Sequence, residues 1–171
     1  MLVLGGIDDV EDRMFIATVL YGGMRVGEIV KCLKRDLLTD NIMVRKTKVR
    51  EGGVKYRVVL MCDKYKEIRD FCLPMLRLRK DDHVFTNRYG YPLSRGGANH
   101  RVKKYFGDYE TCHTLRKTIG NRVCGNNVGL ADGENDYIAA MLYLGHKSLA
   151  STFTYLDTSQ AYLENAINKR L

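Results

Sequence analysis

The spacing of apolar residues changes near residue 40, and this change constrains the fold more than any other feature of the sequence. Before it, residues 26–33 place apolar side chains at positions i, i+3, i+4 and i+7, which is one face of a helix. After it, residues 41–47 and 55–61 are rich in β-formers and flank the turn sequence Glu-Gly-Gly at 51–53. Two such runs around a glycine turn are typical of a β-hairpin. The sequence therefore predicts a helical chain interrupted by one hairpin.

Helical patterns fill most of the remaining chain. Asp8 and Asp9 can begin the first helix, which Gly22-Gly23 would end, and Ser94 can cap a later one. The other predicted helices cover about residues 26–33, 63–73 (closed by Pro74), 95–105, 111–123, 136–144 and 158–169. The fold class is therefore α+β and mainly α, a single helical domain of 171 residues with a small antiparallel β-sheet.

Two absences in the sequence suggest where the protein works. No apolar run approaches the roughly 18 residues of a membrane-spanning helix. The first residues lack the basic charge of a signal peptide. The five cysteines are scattered and never form Cys-x-x-Cys, which favours a reducing compartment over a disulfide framework. We therefore expect a cytoplasmic protein with no membrane contact.

A metal site is not expected either. His100, Cys112, His113 and His146 are the residues from which one could be assembled, and their spacing matches no zinc pattern. We expect no metal and no other cofactor.

Basic residues concentrate in the predicted hairpin. The formal net charge is +8, and residues 45–57 contain six basic residues and one acid. A solvated hairpin is one interpretation, and a basic finger along a phosphate backbone is the other. The residues concerned are Arg45, Lys46, Lys48, Arg50, Lys55 and Arg57.

A small set of polar residues falls outside the core pattern and makes chemical sense together. Arginine forks bind phosphate oxygens and can stabilise the charge of a phosphoryl transition state. A tyrosine phenol can attack phosphorus, and lysine or histidine can protonate the leaving oxygen. The set comprises Arg25, one or both of Lys46 and Lys48, His113, Arg116, His146 and Tyr155. For His146 and Tyr155 alone, a packing role is the alternative, with Ser148 between them as a possible helix cap.

Four segments that carry these residues resemble the tyrosine recombinases, also called the phage integrase family. They are Tyr21-Gly-Gly-Met-Arg25-Val-Gly-Glu28-Ile, Lys46-Thr-Lys48, His113-Thr-Leu-Arg116, and Leu144-Gly-His146 followed nine residues later by Tyr155. Their order matches the family's order of boxes across nearly the whole chain.

The resemblance implies a function and a role for each matching residue. The protein would be a site-specific DNA recombinase or integrase of a mobile element, virus or plasmid, acting through a 3′-phosphotyrosine intermediate. Arg25 and Arg116 would bind the scissile phosphate, and Tyr155 would attack it. Lys48 would be the general acid, although Lys46 lies on the same strand face. His113 and His146 would bind phosphate oxygens or assist proton transfer, and Glu28 would support the site.

The resemblance also implies partners and a domain organisation. Double-stranded DNA would be the substrate, bound by a homo-tetramer on paired sites that is a monomer or weak oligomer without DNA. The chain would be the catalytic domain without the family's N-terminal clamp domain. Residues 1–8 would be a linker remnant, and residues 158–171 a tail helix that packs on its own domain or docks on a neighbour. The polar stretch 125–134 is longer than the family's usual link.

Two other functions remain open at this point. A type IB topoisomerase uses a similar set of residues on one duplex. A DNA-binding module on the same fold, without the reaction, is the alternative from another class.

Overall fold

The computed structural model describes residues 2–37, 41–45, 56–78, 82–123, 137–148 and 151, and the chain divides into two units, residues 1–116 and 117–171. The first unit contains α1 (Leu2–Gly5), α2 (Val10–Gly22), α3 (Val26–Ile29), a 3-10 turn (Lys34–Leu37), β1 (Asn41–Arg45), β2 (Tyr56–Leu60), α4 (Asp63–Arg77), α5 (Arg95–Phe106) and the start of α6 (Cys112–Val123). The second contains the rest of α6 and α7 (Tyr137–Leu144). The predicted fold class, mainly helical with a small antiparallel sheet, is confirmed. Among the helices the structure describes, none combines the length and the apolar character needed to cross a membrane.

Strands β1 and β2 form the predicted hairpin, and its register decides which side chains face the core. Ile42 pairs with Val59, and Val44 pairs with Arg57. Ile42, Val44 and Val59 are buried, whereas Val58 is 51% exposed. Because side chains alternate between the faces of a strand, Arg57 lies on the same face as Val59. The hairpin therefore presents an apolar face to the core with one arginine in it.

Helix α2 is the centre of the first unit. The sequence indicated one apolar side, but every residue from Met14 to Val19 is buried, which marks a helix surrounded by other elements. Phe15 packs edge-on against Phe85, with 5.3 Å between the ring centroids. The helix begins as predicted, since Asp9 accepts a hydrogen bond from the backbone N–H of Asp12 at 2.7 Å. It ends at Gly23, whose φ of 52° is the left-handed conformation that favours glycine.

Two predicted helix ends were wrong for tertiary reasons. Helix α3 stops at Ile29 instead of continuing to residue 33, because the backbone at Cys32 accepts a hydrogen bond from Val84. Helix α4 runs through Pro74 to Arg77 instead of stopping before the proline. Burial of Leu76 in the last turn favours the helix despite the hydrogen bond that a proline cannot donate.

Two carboxylates at the start of α2 connect this helix to α5 and to the segment before α5. Glu11 accepts a hydrogen bond from the backbone N–H of Thr86 at 2.7 Å and ion-pairs with Arg101 at 2.8 Å. Asp12, which is 7% exposed, accepts from the Tyr105 hydroxyl at 2.6 Å and from the Lys104 ammonium at 2.9 Å. Burial opposes the ionised form, but the hydrogen bonds from Tyr105 and Lys104 and the charge of Arg101 lower the pKa of Asp12.

Replacing Asp12 by Asn should destabilise the fold at neutral pH by roughly 2 kcal/mol, since hydrogen bonds to charged groups are worth about 1.5–3 kcal/mol. The lowered pKa makes this stabilisation present above the unfolded value of 3.8 and lost as the pH falls through the folded value. The difference in free energy of unfolding between wild type and Asp12→Asn, measured in urea, should therefore narrow below about pH 4.

The matched control is Asp8→Asn, at an exposed carboxylate just before the same helix, which should leave stability nearly unchanged. A difference for Asp12→Asn that stays constant down to about pH 3 would show that the charge of the carboxylate is not what stabilises the fold.

Candidate active site

Arg25 and Glu28 form the first part of the site, at the start of α3. Arg25 is the residue before the first turn, and its backbone N–H donates to Glu28 Oε2 at 2.8 Å. The Arg25 guanidinium lies 3.4 Å from Glu28 Oε1, and its side chain is 50% exposed. An arginine side chain has no hydrogen-bond acceptor, so the cap of this helix consists of the Glu28 side chain, which accepts the backbone N–H of Arg25. Glu28 thus fixes the backbone of Arg25 and leaves its guanidinium half in solvent.

Arg116 reaches the same segment from α6. Its side chain is 1% exposed, and its guanidinium donates to the backbone carbonyl of Gly23. Gly23 lies two residues before Arg25 in the sequence. The structure therefore brings the Arg116 guanidinium to the loop that carries Arg25.

The first turn of α6 is fixed by reciprocal capping, which sets the direction of its side chains. Thr111 and Thr114 each accept the other's backbone N–H, at 3.2 Å and 2.8 Å, and Asn99 of α5 accepts from the N–H of Cys112 at 3.1 Å. His113 is exposed, whereas Arg116 one turn later points into the core. Cys112 lies immediately before His113, and burial raises the pKa of its thiol to about 12. The His-x-x-Arg spacing therefore presents an imidazole to solvent and a guanidinium to the Gly23 loop.

Two further arginines approach the same segment. Arg57 Nη2 ion-pairs with Glu28 Oε2 at 2.7 Å, and the Arg57 side chain is 11% exposed. The sequence grouped Arg57 with the basic hairpin residues that would contact a phosphate backbone. The structure turns it inward, because it shares the buried face with Val59.

Arg95 was not singled out in the sequence. A Cβ atom placed on Gly27 would lie 3.0 Å from Nη2 of Arg95, so the guanidinium packs directly over this glycine. The sequence signal near it, Ser94, predicted a helix cap, and Ser94 does accept the N–H of Gly97 at 3.0 Å. A cap motif gives no information about the arginine that follows it.

The electrostatics of this segment favour an anion. Four guanidiniums contact residues 23–28, and one carboxylate, Glu28, lies among them. Guanidinium forks match phosphate oxygens in geometry and remain charged at any pH of interest. The excess of positive charge can bind a phosphodiester and stabilise the charge that develops when it is attacked.

His146 is placed by the end of α7, within the second unit. Gly145 has a φ of 64°, its N–H donates to Leu142 at 3.1 Å, and the N–H of His146 donates to Met141 at 3.0 Å. These are the two bonds of a Schellman motif, for which glycine is suited. A Cβ atom on Gly120 would lie 2.9 Å from Leu144, so α6 and α7 pack closely just before the motif. The Leu-Gly-His sequence therefore fixes the backbone of His146, whose side chain is buried.

Several predicted site residues lie outside the described part of the chain. They are Lys46, Lys48, Arg50, Lys55 and Tyr155, together with the stretches 125–134 and 158–171. Arg45 is described as the last residue of β1, for its backbone alone. After α7, the N–H of Ser151 donates to the Ser148 hydroxyl at 3.4 Å, which is the contact expected if Ser148 caps a helix.

Comparisons with known proteins agree with this arrangement. The model of the Phage integrase family matches residues 5–161. The tyrosine recombinase XerD of Staphylococcus haemolyticus is 26% identical over 168 residues, covering 92% of this chain and 54% of that protein. The chain thus spans about half the length of the curated relatives it matches.

Solved structures show the same fold. The crystal structure of XerA recombinase matches with a TM-score of 0.72 and 23% identity, over 94% of this chain and 58% of that one. XerH recombinase bound to difH substrate, in a pre-cleavage complex, matches with a TM-score of 0.70 and 22% identity, over 96% of this chain and 48% of that one.

Replacing Arg116 by Met should destabilise the fold by about 1–3 kcal/mol, because the buried carbonyl of Gly23 loses its charged donor. The measurement is the free energy of unfolding from a urea titration. The neighbouring Lys117→Met is the control, since Lys117 is exposed and its loss should change stability by less than about 0.5 kcal/mol. Equal stability of Arg116→Met and wild type would contradict a structural role for the Arg116–Gly23 contact.

Proposed function

The chain belongs to the phage integrase family, the tyrosine recombinases, whose model matches residues 5–161, and we propose that it cleaves and rejoins DNA at specific sites. The observation that carries this proposal is the contact of Arg116 with Gly23, since it brings a second guanidinium to the loop of Arg25. Two guanidiniums on one phosphate supply charge stabilisation to the transition state.

Each step of the proposed reaction has a residue to perform it. Arg25 and Arg116 hold the scissile phosphate. The phenol of Tyr155 loses its proton to one of the two histidines or to water, its oxygen attacks phosphorus, a 3′-phosphotyrosine bond forms, and the bond from phosphorus to the 5′-oxygen breaks. Lys48 gives that oxygen its proton. A 5′-hydroxyl of a second DNA strand then attacks the phosphotyrosine, which restores the phosphodiester and frees Tyr155.

The two histidines support the phosphate in this scheme. His113 is exposed at the N-terminal end of α6, where the helix dipole also favours an anion. His146 follows a rigid helix end, which holds its backbone in one place. Both imidazoles act by hydrogen bonding to phosphate oxygens or by passing protons.

Double-stranded DNA is the proposed partner. In its favour, the matching XerH structure is a complex with its difH substrate, and the structural match covers 96% of this chain. The basic hairpin residues Arg45, Lys46, Arg50 and Lys55 would follow the DNA backbone. On paired sites the protein would act as a homo-tetramer, in the compartment that holds the DNA, which we infer to be the cytoplasm.

The matched relatives favour strand exchange over relaxation of a single duplex. Their names are tyrosine recombinases and a putative integrase/recombinase. The Leu-Gly-His sequence with Tyr155 nine residues later favours the same choice.

Replacing Tyr155 by Phe should abolish the covalent adduct and leave DNA binding within about twofold, because the change removes the attacking oxygen and no phosphate-binding group. The assay incubates the protein with labelled, nicked duplexes of randomised sequence and measures label retained by protein on a denaturing gel. Filter binding of the same DNA measures affinity. An adduct that persists in Tyr155→Phe would assign the nucleophile to another tyrosine, such as Tyr143 or Tyr162.

A DNA substrate with sulfur at the 5′-bridging position separates the two hairpin lysines. Its leaving group needs no proton, so it should restore cleavage by Lys48→Ala to within about tenfold of wild type. Lys46→Ala is the matched control. The ratio of its cleavage rate to that of wild type should be the same on the sulfur substrate as on the oxygen substrate. Rescue of Lys46→Ala alone would make Lys46 the general acid.

A further inference from the structure

Arg57 occupies a position where a hairpin normally carries an apolar residue. It lies across from buried Val44, on the same face as buried Val59. Its side chain is 11% exposed. A charge is retained in such a place only when it is paired, since an unpaired buried charge costs several kcal/mol. The pair that holds it is therefore central to what Arg57 does.

Arg57 contacts a carboxylate oxygen that also holds Arg25. Glu28 Oε2 accepts from Arg57 Nη2 at 2.7 Å and from the backbone N–H of Arg25 at 2.8 Å. The other oxygen, Oε1, lies at a longer 3.4 Å from Arg25 Nη1. The strong contacts of Glu28 thus go to the hairpin and to the backbone, and the weak one goes to the guanidinium of Arg25.

This division of contacts keeps the Arg25 guanidinium available. Without Arg57, Arg25 would be the remaining cation in contact with Glu28 among the described residues, and a bidentate pair with it would become the best alternative for the carboxylate. Such a pair would occupy the same guanidinium fork that binds phosphate oxygens. A phosphate would then have to displace the carboxylate before it could bind.

We propose that Arg57 is a positioning residue, which holds Glu28 so that the half-exposed guanidinium of Arg25 stays free to bind a phosphate. The idea rests on the proposed function for the identity of that phosphate, a DNA phosphodiester. Because β2 follows the Lys48 segment in the chain, Arg57 also ties the strand after the predicted general acid to the phosphate-binding arginine.

The first experiment reads Arg25 directly and requires no catalysis. Inorganic phosphate is titrated into the protein while the Nε–Hε signal of Arg25 is followed by NMR. Arg57→Gln should weaken phosphate binding at Arg25 by about tenfold, and Arg57→Lys should recover most of it, because a lysine still neutralises Glu28. The matched control is Arg69→Gln, which breaks another ion pair of a 10% exposed arginine, with Asp70 at 2.8 Å, and should leave phosphate binding unchanged.

A double substitution tests whether Arg57 acts through Glu28. In a Glu28→Gln background the carboxylate charge is absent, so adding Arg57→Gln should change the phosphate affinity by less than about twofold. Equal losses in both backgrounds would overturn the inference, and so would an equal loss in Arg69→Gln. Circular dichroism on every variant excludes unfolding as the cause, and Arg57→Met, which removes the charge and leaves no polar group to bury, carries the test if Arg57→Gln does not fold.

The second experiment uses the adduct assay on nicked duplexes of randomised sequence. Arg57→Gln should lower the rate of adduct formation at saturating DNA by about tenfold, with little change in the DNA concentration that half-saturates it. A wild-type chain that forms no adduct would count against the proposed function, while the phosphate titration would still decide the role of Arg57. A wild-type rate in Arg57→Gln would overturn the positioning role alone.

Discussion

Two carboxylates at the start of α2, Asp12 buried and Glu11 partly buried, hold the parts of the first unit together. Glu11 binds the backbone of Thr86 and the guanidinium of Arg101, and Asp12 binds Lys104 and Tyr105. Carboxylates in such a position are stable only with their partners in place. The partners lie on α5 and on the segment before it, and α5 in turn caps α6 through Asn99. The start of α6, which carries His113 and Arg116, is therefore positioned through contacts that begin at the start of α2.

The loop after α2 also holds charged groups that need partners within the protein. Four guanidiniums close to one loop repel each other unless other groups compensate them. The carboxylate of Glu28 and the carbonyl of Gly23 provide that compensation from within the protein. The arginines are thus held in place by groups of the protein itself, and charges arranged in advance in this way need no rearrangement when an anion binds.

Sequence reasoning succeeded where the local pattern and the tertiary structure agree. The hairpin, the cap at Asp9 and the break at Gly23 were all predicted. It failed where a distant partner decided the outcome. The early end of α3 depends on Val84, and the inward direction of Arg57 depends on strand register and on Glu28. The packing of Arg95 over Gly27 has no local signature at all. Lys48 and Tyr155 lie outside the described residues and remain predictions.

Cys112 lies in the same helix as His113 and Arg116, and burial makes its thiol unreactive. Burial keeps the thiol protonated, and a protonated thiol is a poor target for peroxide and for alkylating reagents. Of the four cysteines that the structure describes, Cys62 is the exposed one, at the start of α4. Oxidants and maleimide dyes would therefore reach the described part of this protein at Cys62 first. Cys62, just before α4, is therefore also an attachment point for a fluorescent label that lies far in sequence from His113 and Arg116.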